Sequence, residues 1–193
     1  MARSFSEWEK ENIRRSLVEA CKQSWAKHGY KKTGVDELCR QAGISKGAFY
    51  LFYESKESLF CEVLCSVQEE ICDAASKIME NRQNKHGMAE AIKLIYREYH
   101  KNNFLYHADS IDYTVLMNKL SKEQIRKVEE SNDRGRRLFL TQPYLKCKVD
   151  AELALSVIYS LLMNIRNKDV LPYGHIETFD FMVDHLIDSL YEE

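Results

Sequence analysis

Two lysines stand where a lysine is disfavoured. Lys46 lies one residue past Ser45, and Lys56 one residue past Ser55. Each serine can cap a helix, so each lysine puts a cation at a helix N-terminus, which the helix dipole opposes by roughly 0.3–1 kcal/mol. An anion from outside would remove that penalty, and the free N–H groups at those helix ends would help hold it. A phosphate backbone fits both demands. The plainer alternative is two ammonium groups swung into water. Other groups offer less. His100 and His107 are two turns apart with Asp109 and Asp112 nearby, which a metal could use, but solvated or hydrogen-bonded His explains them equally and no metal site is expected. Cys61 and Cys65 are one turn apart with Cys72 near the same side, either a thiol sensor or small residues beside a packed stripe. With Cys21, Cys39 and Cys147 the thiols number six, and none forms a C-x-x-C pair. No nucleophile stands at a workable spacing from a base, and there is no glycine-rich phosphate loop or obvious carboxylate pair. The expectation is no enzyme activity and no cofactor.

The two lysines need short helices to hold them, and the stretch from Thr33 to Lys56 supplies these. Thr33 and Asp36 have the spacing of a capping pair. Val35, Leu38, Cys39 and Ala42 recur at three and four, giving one apolar helix face. Gly43 follows, where a left-handed C-terminal cap is easiest. Ile44 plugs the turn, and Ser45 caps a second helix expected to run to about Phe52. The pattern is a helix-turn-helix, about residues 34–53, whose second helix would enter a DNA major groove.

The run G-x-x-x-T-x-V-x-x-L-C-x-x-A-G-I-S-K-G-A-F-Y-x-F-Y-x-S-K-E-S-L-F, from Gly29 to Phe60, resembles the DNA-binding domain of the tetracycline-repressor (TetR) family of transcriptional regulators. The resemblance implies that Thr33, Tyr50 and Lys56 touch DNA phosphates and that Lys46, Gly47, Ala48 and Leu51 face the groove; Ser45, at the start of the same helix, completes the expected DNA-binding set. The chain departs from the family's pattern at Phe52 and Tyr53, where Tyr or His followed by Phe is usual. It departs again at apolar Leu51, where a polar or aromatic residue is common.

Composition agrees with a helical protein of this kind. The chain has 193 residues, 45% hydrophobic and 30% charged, with only 7 Gly and 2 Pro. Residues 1–60 carry 11 Lys and Arg against 8 Asp and Glu, while the remainder carries 17 against 22, so a mildly basic head precedes an acidic body. The start of the chain has no apolar core of a signal peptide, and no apolar run approaches the roughly 18 residues of a membrane span. The expected setting is cytoplasmic, with no membrane partner.

The expected fold is all-α, with about nine helices. Residues 1–55 form a three-helix DNA-binding domain, and residues 56–193 a helical effector-binding and dimerisation domain. Ser6 and Glu9 make a capping pair for the first helix, whose Arg14, Arg15 and Lys22, with Arg3 and Lys10, could reach the DNA backbone or minor groove or form a solvated face. A helix from about Ser55 to Arg82 carries Leu59, Phe60, Val63, Leu64, Val67 and Ile71 on one stripe. At 1.5 Å per residue it spans about 40 Å. Ser121 with Gln124, and Asp150, open later helices. Tyr96, Tyr99, His100, Phe104, Tyr113, Met117, Phe139 and Tyr159 could wall a small-molecule pocket or simply fill a core. The last two helices have apolar faces broad enough for a second subunit, with Val157, Leu161, Phe179, Met182, Val183 and Leu186 as the expected homodimer interface.

The partners expected are a double-stranded DNA operator, a second copy of the chain and a small-molecule effector of unknown identity. The function expected is a ligand-responsive repressor reading a pseudo-palindrome as a dimer. Two alternatives remain: a regulator of the same fold controlled by oxidation of Cys61, Cys65 or Cys72, and a helical adaptor or enzyme that only borrows the motif.

Overall fold

A computed structural model describes residues 5–107, 110–140 and 142–192. Arg3 and Asp109, named above, lie outside the described residues. Among those described, nine α-helices form, with only an isolated β-bridge between Cys147 and Tyr191. No described helix is long and apolar enough to cross a membrane.

The helices begin where side chains can take up their free N–H groups. For α1 (Glu7–Lys32), Ser6 Oγ accepts from Glu9 N–H at 3.2 Å and the Glu9 carboxylate accepts from Ser6 N–H at 2.9 Å, a closed capping box. The helix breaks at Gly29 (φ 80°), where the left-handed region is open to glycine, and one further turn carries it to Lys32. α2 (Val35–Ala42) ends on Gly43 at φ 69°, and Ile44 N–H closes onto Cys39 O at 3.0 Å. α3 (Lys46–Phe49) is capped by Ser45, whose Oγ accepts from Ala48 N–H at 3.1 Å. It is shorter than expected. Phe49 O accepts from both Phe52 and Tyr53 N–H, so the chain tightens into turns over residues 50–52.

One expected cap is corrected. Thr33 does not cap α2; Gly34 occupies that position with no side-chain bond. The break at Gly29 leaves its carbonyl without a helical partner, and Thr33 Oγ1 donates to it at 2.8 Å.

α4 (Lys56–Asn81) is a single helix of 26 residues. α5 (Lys85–Lys101) starts at Asn84, whose Oδ1 accepts from both His86 and Gly87 N–H. α6 (Ile111–Met117), α7 (Lys122–Leu140), α8 (Ala151–Met163) and α9 (His175–Leu190) follow, with 3₁₀ turns at Asn103–Leu105 and Asn164–Val170. The Ser121–Gln124 pair opens α7 in both directions, at 3.2 and 2.8 Å, and Asp150 caps α8. The polar middle of α7, with Gly135 inside it, remains helical throughout.

The chain divides into two compact units. One comprises Met1–Ser66 with His107–Val128, and the other Val67–Tyr106 with Glu129–Glu193. The core of the first gathers Leu17, Trp25, Leu38, Phe49, Leu59 and Phe60. Phe60 lies 4.7 Å from Trp25 and edge-on to Tyr30 at 5.1 Å. In the second, α9 packs chiefly on α5, with Tyr96 stacked on Phe179 at 3.7 Å.

Candidate functional site

The first unit presents α3 and the turn after it. Phe49 is buried and anchors the helix, with Tyr50 edge-on to its ring at 5.3 Å. Lys46 and Gly47 are exposed and Ala48 is half-buried beside them. Tyr50 and Leu51 stand out at 52% and 73% exposure, large side chains that the core does not use. Lys46, Gly47, Tyr50 and Leu51 therefore leave a compact surface of one cation, one phenol and apolar atoms available to a partner.

Both lysines at helix starts have partners inside the chain. Lys46 Nζ lies 3.1 Å from Asp36 Oδ1, an exposed pair that holds Lys46 above its ordinary pKa. Lys56 is half-buried. Its Nζ donates to Tyr30 O at 2.6 Å and sits 4.0 Å above the Tyr30 ring. Tyr30 lies in the last turn of α1, so the negative end of that helix receives the cation. Burial pushes the Lys56 ammonium below its usual pKa. Thr33, expected at a phosphate, is 1% exposed, and its hydroxyl is committed to Gly29. Arg14 is likewise taken: it reaches Glu62 at 3.0 and 2.5 Å and lies over Tyr53, while Lys10 pairs with Glu7 at 2.7 Å. Arg15 remains exposed.

The second unit contains a cavity of about 250 Å³. Ile71, Ile95, Leu138 and Leu162 give it apolar walls, and Tyr99, Phe139 and Tyr159 give it aromatic ones. Gln68, Cys72, Ser131, Asn132, Gly135 and Arg136 complete the lining. Gln68 Nε2 donates to Asn132 Oδ1 at 2.7 Å, which leaves Gln68 Oε1 buried without a partner, and Ser131 Oγ is buried and unpartnered too. Each such orphan costs about 1–3 kcal/mol. Burial pushes the Tyr99 phenol up to about 12 and raises the Cys72 thiol, so both are neutral at ordinary pH.

A sequence model for bacterial regulatory proteins of the tetR family matches residues 17–63, which hold α2, α3 and the exposed surface just described. Over those residues the chain is similar to the tetR family of regulators. Its relatives agree. YhgD of Bacillus subtilis, an HTH-type transcriptional regulator, is 29% identical over 119 residues, 60% of either chain. The alignment thus spans less than two thirds of that relative. QacR of Staphylococcus aureus, also an HTH-type transcriptional regulator, is 24% identical over 131 residues, 59% of this chain and 65% of QacR. Among solved structures, the FadR regulator from Bacillus subtilis, determined with stearoyl-CoA, superposes with a TM-score of 0.69 at 16% identity, covering 91% of this chain and 98% of FadR. PfmR from Thermus thermophilus, a TetR-family regulator, gives 0.66 at 23% identity over 89% and 96%. At these identities the structures establish a shared fold.

In the second unit and around it, the expected body residues separate. Tyr99, Phe139 and Tyr159 line the cavity. Tyr96 does not: it stacks on Phe179 and its hydroxyl hydrogen-bonds His175 Nδ1 at 3.2 Å. His100 sits on the surface beside His175 and Lys168, where burial and that lysine lower its pKa. Phe104 is buried in the turn after α5, and Tyr113 and Met117 belong to α6 of the first unit. Of the expected subunit interface, Phe179 and Val183 are buried in their own chain, because α9 needs its inner stripe for α5. Val157, Leu161, Met182 and Leu186 are only half-buried. Among the described residues no group of three or more His, Cys, Asp or Glu could hold a metal ion. All six cysteines are free; a hydrogen bond with Cys65 lowers the Cys61 pKa, yet Cys61 itself is buried.

The sequence pattern did not mark Gln68, Ser131, Asn132 or Arg136, since polar residues on a helix read as a solvated face. The signal that could have found them was Gly135, a residue out of place inside a helix.

Proposed function

We propose that this protein is a DNA-binding transcriptional repressor that grips a pseudo-palindromic operator as a homodimer and lets go when a small molecule enters its body. The observation that carries the reading is the surface of α3 and its following turn: Lys46, Gly47, Tyr50 and Leu51 are exposed on a helix-turn-helix within the residues that match the family model. Tyr50 and Lys46 are the phosphate and base-edge contacts of this reading, and Leu51 meets a thymine methyl or sugar. Lys56 acts through the shape of the head, holding α4 to the end of α1.

The second copy packs on the outer faces of α8 and α9. Val157, Leu161, Met182 and Leu186 keep apolar surface there, and Leu153 and Phe181 are more than half exposed. Two short recognition helices, about 34–36 Å apart, then read two half-sites. The effector occupies the cavity. Ligand-pocket volumes of about 300–1,000 Å³ suit drug-sized molecules. At about 250 Å³ the cavity favours something smaller than the stearoyl-CoA held by FadR. α4 contributes Lys56 to the head and Gln68, Ile71 and Cys72 to the cavity wall. A ligand that prefers one of two conformers shifts the population toward it, and one without preference shifts nothing.

Selection from a randomised duplex library tests the reading. Expected is enrichment of a pseudo-palindrome bound at about 10⁻⁸ M or tighter in physiological salt, by a protein that sediments as a dimer. A monomer that enriches no duplex would end it.

A further inference from the structure

The cavity in the second unit says more about its occupant than its size. Among the described residues no Asp or Glu lines it, and the one charged lining residue is Arg136. The arginines of α7 differ in how they are used. Arg134 pairs with Asp73, whereas Arg136 is in no ion pair among the described residues. Burial raises the pKa of the Tyr159 phenol, and Arg136 is close enough to pull against that rise. An unpaired guanidinium beside an apolar, aromatic chamber suits a carboxylate in forked geometry on a hydrophobic body. The walls Tyr99, Phe139 and Tyr159 favour a flat ring. The two orphaned polar atoms at the same wall, Gln68 Oε1 and Ser131 Oγ, ask for a hydroxyl.

We propose that the cavity binds a small aromatic monocarboxylate bearing a hydroxyl group, with the carboxylate on Arg136, the ring among Tyr99, Phe139 and Tyr159, and the hydroxyl meeting Gln68 and Ser131. This rests on the body being the ligand-binding unit, and it names the class of ligand. A cationic ligand is disfavoured, since it would meet a guanidinium and find no carboxylate on the wall.

Three probes that differ in the charge of the head group decide the matter: 3-(4-hydroxyphenyl)propanoate, its propanamide, and the amine tyramine. Each is titrated calorimetrically into the full-length protein without DNA. Expected is binding of the propanoate at least about tenfold tighter than the amide or the amine, the usual worth of a charge-assisted bond to arginine. Arg136→Gln should remove that advantage while leaving amide binding unchanged. Gly135→Leu should fill the chamber and abolish binding of all three, in a protein whose circular dichroism and cooperative melting show it folded, because leucine is the better helix former. Equal affinity for the three, preference for tyramine, an Arg136→Gln effect as large on amide as on acid, or no binding by any probe would each overturn the proposal. Since no DNA is present, a failure to bind an operator would leave this result standing, and the converse also holds.

Discussion

Gly135→Ala is a perturbation whose sign follows from the geometry. Gly135 lies inside α7, five residues before the end at Leu140, and is not among the described glycines with positive φ, which are Gly29 and Gly43. A glycine there forfeits about 0.8–1.0 kcal/mol relative to alanine, because it gives up more backbone freedom on folding. The new methyl would find ordinary contact with Cys72 Sγ at 3.9 Å, and nothing else outside its own helix comes within 4 Å. The helix gain is therefore not spent on strain. For a chain of this size about 1 kcal/mol raises the melting temperature by about 2–4 °C. Melting of the variant beside the parent protein, followed by circular dichroism, reads the change directly. A lowered melting temperature would refute the reasoning, since it would mean that a neighbour closes on Gly135 and that the cavity is not the open space described. Gly87 supplies the contrast. A Cβ there would lie 1.9 Å from Arg82 O, at the tight junction between α4 and α5.

Gly87→Ala should accordingly destabilise by about 1–3 kcal/mol, the usual cost of overpacking, and lower the melting temperature in the same assay. Lys46→Ala should leave stability within about 0.5 kcal/mol, as exposed ion pairs contribute little, yet weaken duplex binding measured by fluorescence anisotropy. Asp36→Ala should strengthen that binding by releasing Lys46; unchanged affinity in both variants would remove Lys46 from the interface. Tyr50→Ala should weaken binding to all duplex sequences alike without affecting melting, since the side chain is half exposed. Lys56→Ala should do both, costing about 1–3 kcal/mol of stability through the lost charged bond to Tyr30 O. Loss of DNA affinity with unaltered melting would show instead that Lys56 itself touches phosphate.

What the residues determined alone was local. Ser6 with Glu9, Ser45, Ser121 with Gln124 and Asp150 set helix starts within their own first turns, Gly43 set a helix end through its own φ, and the apolar spacing of α4 and α9 set their buried stripes. The order of helices and the helix-turn-helix follow from these, because capping and periodicity act over three or four residues. What needed the tertiary structure was the partner chosen by each polar or aromatic group. Thr33 has the spacing of a cap, but the break at Gly29 offered its hydroxyl a better acceptor. Lys56 reads as a free cation until Tyr30 O, 26 residues away, is brought within 2.6 Å of it. Phe179 and Tyr96 have the composition of an interface and a pocket, and they bury each other instead. Arg136, Ser131 and Gln68 look like solvated helix surface, and meet around one chamber only once α4 and α7 are packed. Sequence spacing records which side chains share a helix face, but which face meets which is decided by packing between elements far apart in the chain.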